Sequence, residues 1–405
     1  MGWAEVQASV LAADPAQRFD PAVTRLALTQ FRSYASLRFD LDTPRAVVLT
    51  GPNGAGKTNL LEAVSLLAPG RGLRRATLAD FPRRAASGAT AREWAVAARI
   101  QGPVGSTDVG TGIDAGSIAA SGDGDVAQQE RRVVRIDGRP SRGAALADVV
   151  TVRWLTPAMD RMFTDAAARR RRFLDHLASG ADPAHATRVS AFERTMRQRS
   201  RLLRSPGWNP RWVAALEEKM AELGTAIAAG RLEYAARLSA VMAETGAPAA
   251  GAKVVVRGDV EAWLESGPAL EAEDRFRAAL ERGRDRDGIV GGASTGVHRS
   301  DLDVTHPNGM PAAQCSTGEQ KTLLFAIIEA DVRLVAAAGK APLLLLDEVS
   351  AHLDEERRAA LFDAVLTLGS QVWATGTDAS LFAGLAGRAQ FHEVREGRVI
   401  PVRDR

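Results

Sequence analysis

A glycine-rich loop built to cradle phosphates and the acidic strand that should face it lie almost 300 residues apart in this chain. That separation constrains the fold more than any other feature. The loop is GPNGAGKTNL, residues 51–60, and Gly51, Gly56, Lys57 and Thr58 fit G-x-x-x-x-G-K-[ST]. Glycines let the backbone turn tightly enough for successive amides to point inward at phosphate oxygens. Lys57 is placed to reach the outer phosphates and Thr58 to hold Mg²⁺. The apolar run Ala46–Leu49 precedes the loop as a buried strand. A helix over Asn59–Leu67 follows and adds its positive end. The expected cradle is therefore Gly51, Pro52, Asn53, Gly54, Ala55, Gly56, Lys57, Thr58 and Asn59.

The acidic strand is LLLLDE, residues 343–348. A buried strand ending in two carboxylates places Asp347 to orient Mg²⁺ through its water shell and Glu348 to polarise an attacking water. Lys57, Asp347 and Glu348 are the expected catalytic residues, and Thr58 with Asp347 the expected metal site. An acidic cap on a strand is the plain alternative for 347–348, and the phosphate loop argues against it.

The two halves of one core must then close around whatever lies between them. Residues 1–20 read as an extension. Residues 21–157 form the first part of the core. Leu26, Leu28, Leu37, Phe39 and Leu41 alternate around a turn at Arg32–Tyr34, and further strands are expected at Trp94–Ile100 and Arg132–Ile136. Residues 102–130, rich in glycine, serine and aspartate, are expected to be a flexible hairpin tip. Residues 158–290 change to alanine- and leucine-rich helical spacing and form a mostly helical lobe, with VVVR at 254–257 as a strand or packing segment. Residues 291–405 return to the core, with a helix after STGEQ, strands at 343–346 and 371–375, and a terminal hairpin around Glu396 and Gly397. Buried strands alternating with helices imply a layered α/β core.

Composition excludes several alternatives. The chain has 405 residues and one cysteine, Cys315, so neither an intrachain disulfide nor a cysteine zinc cluster can form. No apolar run approaches the length of a membrane span, and the N-terminus lacks a basic start followed by an apolar core. A cytoplasmic protein without membrane partners is the expectation. A net charge of +3 permits a nucleic-acid partner without demanding one.

A third motif sets these two in a family. CSTGEQ, residues 315–320, resembles the signature loop of ATP-binding-cassette ATPases, and SAHLD, 350–354, resembles the D-loop that follows their acidic pair. The opening LALTQFRSYASLRFDL, the segment WLTPAMDRMFTDAAARRRRFLDHL at 154–177 and VHRSDL at 297–302 are similar to the RecF family within the SMC-like branch of that superfamily. The resemblance implies an ABC/SMC-like P-loop ATPase head with an inserted helical lobe. It implies ATP and Mg²⁺ as cofactors, slow DNA-dependent hydrolysis and an ATP-dependent homodimer. Ser316 and Gly318 of one subunit would meet the γ-phosphate held by the other, with Glu319 and Gln320 beside them and Asp354 across the interface. Ser316 or Thr317 with Glu319 or Gln320 also reads as a helix capping box, and both readings can hold. A switch histidine is missing, and Thr377 in TGTD stands near its place. No glutamine is firmly placed as the Q-loop residue; Gln30 and Gln101 are the nearest.

The family also implies recombinational repair, replication restart and the DNA-damage (SOS) response. The expected partners are double-stranded DNA near gaps or junctions, and mediators of the RecR and RecO type. Thirteen arginines against five acids between Arg153 and Arg211 give a local basic excess suited to backbone phosphates. Arg197, Arg199, Arg201 and Arg204 are the expected DNA contacts, and an internal ion pair from Arg171 or Arg172 to Asp175 or Asp301 is expected beside them. The alternatives are another SMC-like repair ATPase and an ABC-type ATPase subunit that does not act on DNA.

Overall fold

The computed structural model describes residues 21–42, 45–84, 88–102, 105–113, 132–244, 249–339, 342–348, 358–359, 362–363, 366–367 and 369–402. The extension at 1–20, the whole D-loop segment 350–354 with His352 and Asp354, and residues 114–131 lie outside them. The chain divides into two compact units, one of residues 1–157 and 335–405, the other of 158–334.

The first unit holds two six-stranded sheets. One is antiparallel, in the order β2-β1-β4-β5-β6-β7. Its strands are β1 (Ala22–Phe31), β2 (Tyr34–Asp40), β4 (Trp94–Gly102), β5 (Gly105–Ile113), β6 (Val133–Ile136) and β7 (Arg139–Ser141). The other has the order β14-β13-β3-β12-β11-β8. Its strands are β3 (Ala46–Thr50), β8 (Val152–Leu155), β11 (Leu343–Asp347), β12 (Val372–Gly376), β13 (Ala389–Arg395) and β14 (Arg398–Pro401). All its pairings are parallel except β13–β14. That hairpin closes on Glu396 and Gly397, both at positive φ as a two-residue turn requires. Helix α1 (Lys57–Ser65) follows β3 and buries almost every residue, and the short helix α2 (Leu146–Val149) precedes β8.

One apolar core joins these layers, with Leu26, Phe31, Tyr34, Leu60, Leu61, Val64, Trp94 and Trp373 all fully shielded. Burying such side chains is the dominant favourable term, about 1.5–3 kcal/mol each. Gln371 stitches the two sheets at their buried edge. Its amide accepts from Val23 N and Trp373 Nε1 and donates to Val23 O.

Strand β5 corrects the expectation of a flexible tip across 102–130. Residues 105–113 pair with β4 along its length. Val109, Thr111 and Ile113 alternate inward, so the segment buries one face despite its glycines. Gly112 sits where a Cβ would lie 2.2 Å from the Trp94 carbonyl oxygen, which makes glycine a packing requirement there.

The second unit is helical, with α3 (Ala167–Ala181), α4 (Pro183–Leu203), α5 (Pro210–Glu244), α6 (Asp259–Ser266), α7 (Ala269–Arg282), α8 (Arg284–Val290) and most of α9 (Thr317–Ala337). Its own core gathers Phe192, Met220, Ile227, Val260, Phe276 and Leu280. VVVR at 254–257 belongs to strand β9 (Lys253–Arg257), paired with β10 (Asp301–Thr305). This pairing helps carry the compact unit to Leu334, beyond the expected boundary at 290.

Candidate nucleotide site and signature loop

The phosphate loop leaves β3 at a buried Thr50 and turns into α1 through three glycines at positive φ, Gly51, Gly54 and Gly56. Two of these glycines are also forced by space. A Cβ on Gly51 would lie 2.3 Å from the Val394 carbonyl oxygen, and one on Gly56 would lie 2.8 Å from both Ser33 Oγ and Tyr34 Oη. Gly54 has open space around it, so only its φ of 80° calls for glycine.

The β1–β2 turn braces the loop. Tyr34 Oη donates to the Gly56 carbonyl at 3.0 Å, and burial pushes the phenol's pKa up, which keeps the donor protonated. Arg32 makes a bidentate pair with the buried Glu62 of α1 at 2.8 and 2.9 Å. Asn59 Nδ2 donates to Ser33 Oγ at 2.9 Å. At the far end of α1, the largely buried Arg132 donates to the carbonyls of Leu66 and Gly70, and burial lowers its pKa to about 10.

Lys57 is only 3% exposed, and its Nζ donates to the carbonyls of Gly51 and Pro52 at 2.7 and 3.0 Å. Burial pulls its pKa below the usual lysine value, while the nearby Glu348 and Asp347 charges pull it back up. Thr58 Oγ1 donates to Asp347 Oδ1 at 2.9 Å. A second hydroxyl meets the same carboxylate oxygen, Thr375 Oγ1 at 2.8 Å. Thr375 Oγ1 also accepts from the Glu348 backbone N–H at 3.0 Å. Glu348 itself sits at φ 52°, a left-handed conformation that a non-glycine residue adopts at a cost.

This constellation suits Mg²⁺. A hydroxyl and a carboxylate oxygen side by side are hard donors, and Mg²⁺ typically takes one or two such protein ligands and fills the rest from water and phosphates. Among the described residues no cluster of three or more His, Cys, Asp or Glu offers an all-protein metal cage. The sequence reading missed Thr375. It selected Thr377, which lies exposed just past β12. Thr375 pairs in register with Asp347 on the neighbouring parallel strand, a relationship that only the folded sheet creates. Gln101 bonds Ser106 Oγ and the Gly102 carbonyl at the β4–β5 turn.

In the second unit the signature loop closes into the capping box. Ser316 N and Oγ donate to Glu319 Oε2 at 2.8 and 2.7 Å, and Glu319 N donates back to Ser316 Oγ at 3.3 Å. Ser316 is exposed and Gly318 partly so. Gln320 is buried, and its side-chain amide donates to the Cys315 carbonyl at 3.0 Å. Its expected place beside a nucleotide is therefore corrected: the side chain faces inward and fixes the loop. Lys321 pairs with Asp160 at 3.1 Å.

Arg199 is the second correction. It is wholly buried, with Nε on Glu217 at 2.9 Å, one terminal nitrogen on Asp287 at 2.8 Å and the other on the Leu280 carbonyl at 2.7 Å. A guanidinium so satisfied cannot face DNA. Arg197, Arg201 and Arg204 are exposed, and Arg194 joins their stripe. The internal pair expected for Arg171 or Arg172 belongs to Arg170, which is bidentate to Asp301 at 2.7 and 2.6 Å. Arg171 donates to the Ser300 carbonyl, and Asp175 is held by Arg231 and His185. His298 Nε2 donates to the Ala293 carbonyl at 2.9 Å, and burial lowers the imidazole's pKa.

Comparison with known proteins follows the same lines. The family described as RecF/RecN/SMC N terminal domain matches residues 22–391. The DNA replication and repair protein RecF of Mesorhizobium japonicum is 49% identical over 388 residues, covering 94% of this chain and 98% of that protein. RecF of Rhizobium rhizogenes is 46% identical over 382 residues, covering 93% and 98%. Among solved structures, the recombination mediator protein RecF-ATPrS in the RecFOR pathway superposes with a TM-score of 0.81 at 18% identity, covering 96% of this chain and 100% of that one. With nine-tenths of its length matched by that family and nearly half its residues shared with curated relatives, the chain belongs to the RecF branch of the RecF/RecN/SMC family.

Proposed function

We propose that this chain is an ATP-gated DNA-binding protein of replication and recombinational repair. The observation that carries the reading is the Lys57, Thr58, Asp347 and Thr375 constellation at the end of three parallel strands. Lys57 and the inward amides of the loop would hold the phosphates. Thr58 and Asp347 would hold Mg²⁺, which supplies charge neutralisation at the phosphates when bound. Glu348, its backbone fixed by Thr375, would orient the attacking water. The RecF relatives, named for DNA replication and repair, support the biological setting. A solved relative in an ATP-bound form supports ATP as the nucleotide.

Catalysis in such sites is mostly positioning and charge stabilisation. One subunit has little to place against the outer phosphate, so hydrolysis by a lone copy is slow. The exposed Ser316 and the first turn of α9 would complete the site on a second copy, with Gly318 and Asp354 assigned to the same contact and Thr377 to sensing the γ-phosphate. ATP then drives dimerisation and hydrolysis releases it. Arg194 on the exposed stripe of α4 would contact duplex backbone near gaps or junctions. The RecFOR pathway of the solved relative supports mediators of the RecR and RecO type as partners.

Sedimentation of the purified protein with Mg²⁺-ATP, with and without short duplex DNA, tests this. A monomer that dimerises on ATP and then co-sediments with duplex is the expected result. A fixed oligomer indifferent to ATP and DNA would overturn it.

A further inference from the structure

The arginines at the end of α4 do not face solvent alone. Arg197, Arg201 and Arg204, spaced four and three residues apart, line a groove of about 300 Å³ with Met196, Ser200 and the Gly291–Gly292 turn. Arg204 Nε donates to the Ser200 carbonyl at 3.1 Å, which holds its side chain along the groove. Among the described residues neither Arg201 nor Arg204 forms an ion pair, while the nearby Arg199 takes two carboxylates. Two cations therefore stand in a concave surface with their charge unanswered.

The segment leading into that groove's glycine turn is apolar. Ile289 and Val290, immediately before Gly291–Gly292, are 88% and 75% exposed. These are the most exposed large apolar side chains among the described residues. The support beneath them is stiff. Asp287 of α8 is buried on Arg199, Gly288 packs against the Leu203 carbonyl, and Arg284 is bidentate to Glu217 and stacks over Trp208. Apolar side chains held out on a rigid platform are not fraying ends.

We infer that this end of the lobe is a docking surface for a protein segment that is acidic and carries large apolar side chains. Charge complementarity sets the acidic part, since unpaired arginines prefer carboxylates in bidentate geometry. Ile289 and Val290 set the apolar part. The composition decides between protein and nucleic acid. Arginine, methionine and tryptophan are enriched in protein interfaces and lysine is depleted, and this groove has three arginines, one methionine and no lysine. Phosphate contacts alone would leave the exposed aliphatic pair without a role. The inference goes beyond the nucleotide switch, and stands or falls independently of it.

The test is a binding titration with the full chain and short fluorescent peptides. One peptide alternates Asp or Glu with Phe or Leu, and its control replaces every apolar residue with Ser. Single-stranded and duplex oligonucleotides of similar charge run beside them. Arg201→Glu, Ile289→Asp and, outside the groove, Arg194→Glu are the variants, all at exposed positions. The apolar acidic peptide should bind, with affinity falling about tenfold or more in Arg201→Glu and in Ile289→Asp, and unchanged in Arg194→Glu. The serine control should lose a similar factor. Three results would overturn the inference: no peptide binding by the parent, equal binding by all variants, or loss of oligonucleotide binding or self-association in the two groove variants with peptide binding intact.

Discussion

Thr58 and Asp347 stand 289 positions apart in sequence, yet the hydroxyl of one lies 2.9 Å from the carboxylate of the other. The whole second unit is threaded between them without disturbing that contact. Thr375 completes the arrangement by touching Asp347 and the backbone of Glu348 together. Thr375→Val keeps the shape of a buried strand residue and removes both bonds. Turnover of ATP should fall by roughly tenfold to a hundredfold with nucleotide binding retained. Steady-state hydrolysis beside equilibrium binding of a fluorescent ATP analogue separates the two.

Lys57→Ala and Glu348→Gln should act in opposite directions on the same equilibrium. Without its ammonium the loop loses its grip on the outer phosphates, and ATP should no longer shift the protein to a dimer. Glu348→Gln retains the loop but lacks the carboxylate, so the ATP dimer should persist. Sedimentation velocity with Mg²⁺-ATP over a time course reads both. Equal behaviour of the two variants would argue against a clamp opened by hydrolysis.

Arg199 and Arg201 are two residues apart and should respond to substitution quite differently. Arg199→Ala leaves the buried Asp287 with the Ser294 N–H and no cation, and Glu217 with Arg284 alone; loss of one partner of a buried ion pair costs about 3–5 kcal/mol. Arg201→Ala removes an exposed side chain and should leave the stability within about 0.5 kcal/mol of the parent. Chemical denaturation of both variants gives the comparison.

Asp301 links the lobe's stability to pH. Burial pushes its carboxyl up, but the Arg170 guanidinium and the Leu302 N–H outweigh burial and hold it below the usual range. A carboxylate whose folded pKa lies below its unfolded one contributes stability above the unfolded value, about 3.9. That contribution is lost as pH falls through the lower, folded value. Asp301→Asn should therefore be less stable at neutral pH and show a shallower loss on acidification. Denaturant midpoints measured between about pH 6 and about pH 3 would check the slope.

Much of the candidate site's local geometry was legible because its residues do one thing each. Glycines at fixed spacing, an apolar run and a terminal acid pair need no distant partner to be recognised. The Glu396–Gly397 hairpin was legible for the same local reason. Strand β5 was not, because glycine and serine hide an alternation of only Val109, Thr111 and Ile113. Arg199 was misread because composition is blind to helix face. Phe192, Thr195, Arg199 and Leu203 follow three- and four-residue steps and are all buried, and that spacing was the clue. Thr375 was invisible in one dimension, since only strand pairing brings it to Asp347.

Helix α5 runs 35 residues, about 52 Å at 1.5 Å per residue. Near its start Glu217 grips Arg199 and Arg284; Arg231 then grips Asp175 and the Val297 carbonyl, and Tyr234 bonds Asp331 on α9. Fastened at three places, it behaves as a beam and not as a hinge. One continuous helix thus ties the end of α4 to the helix that begins at Thr317.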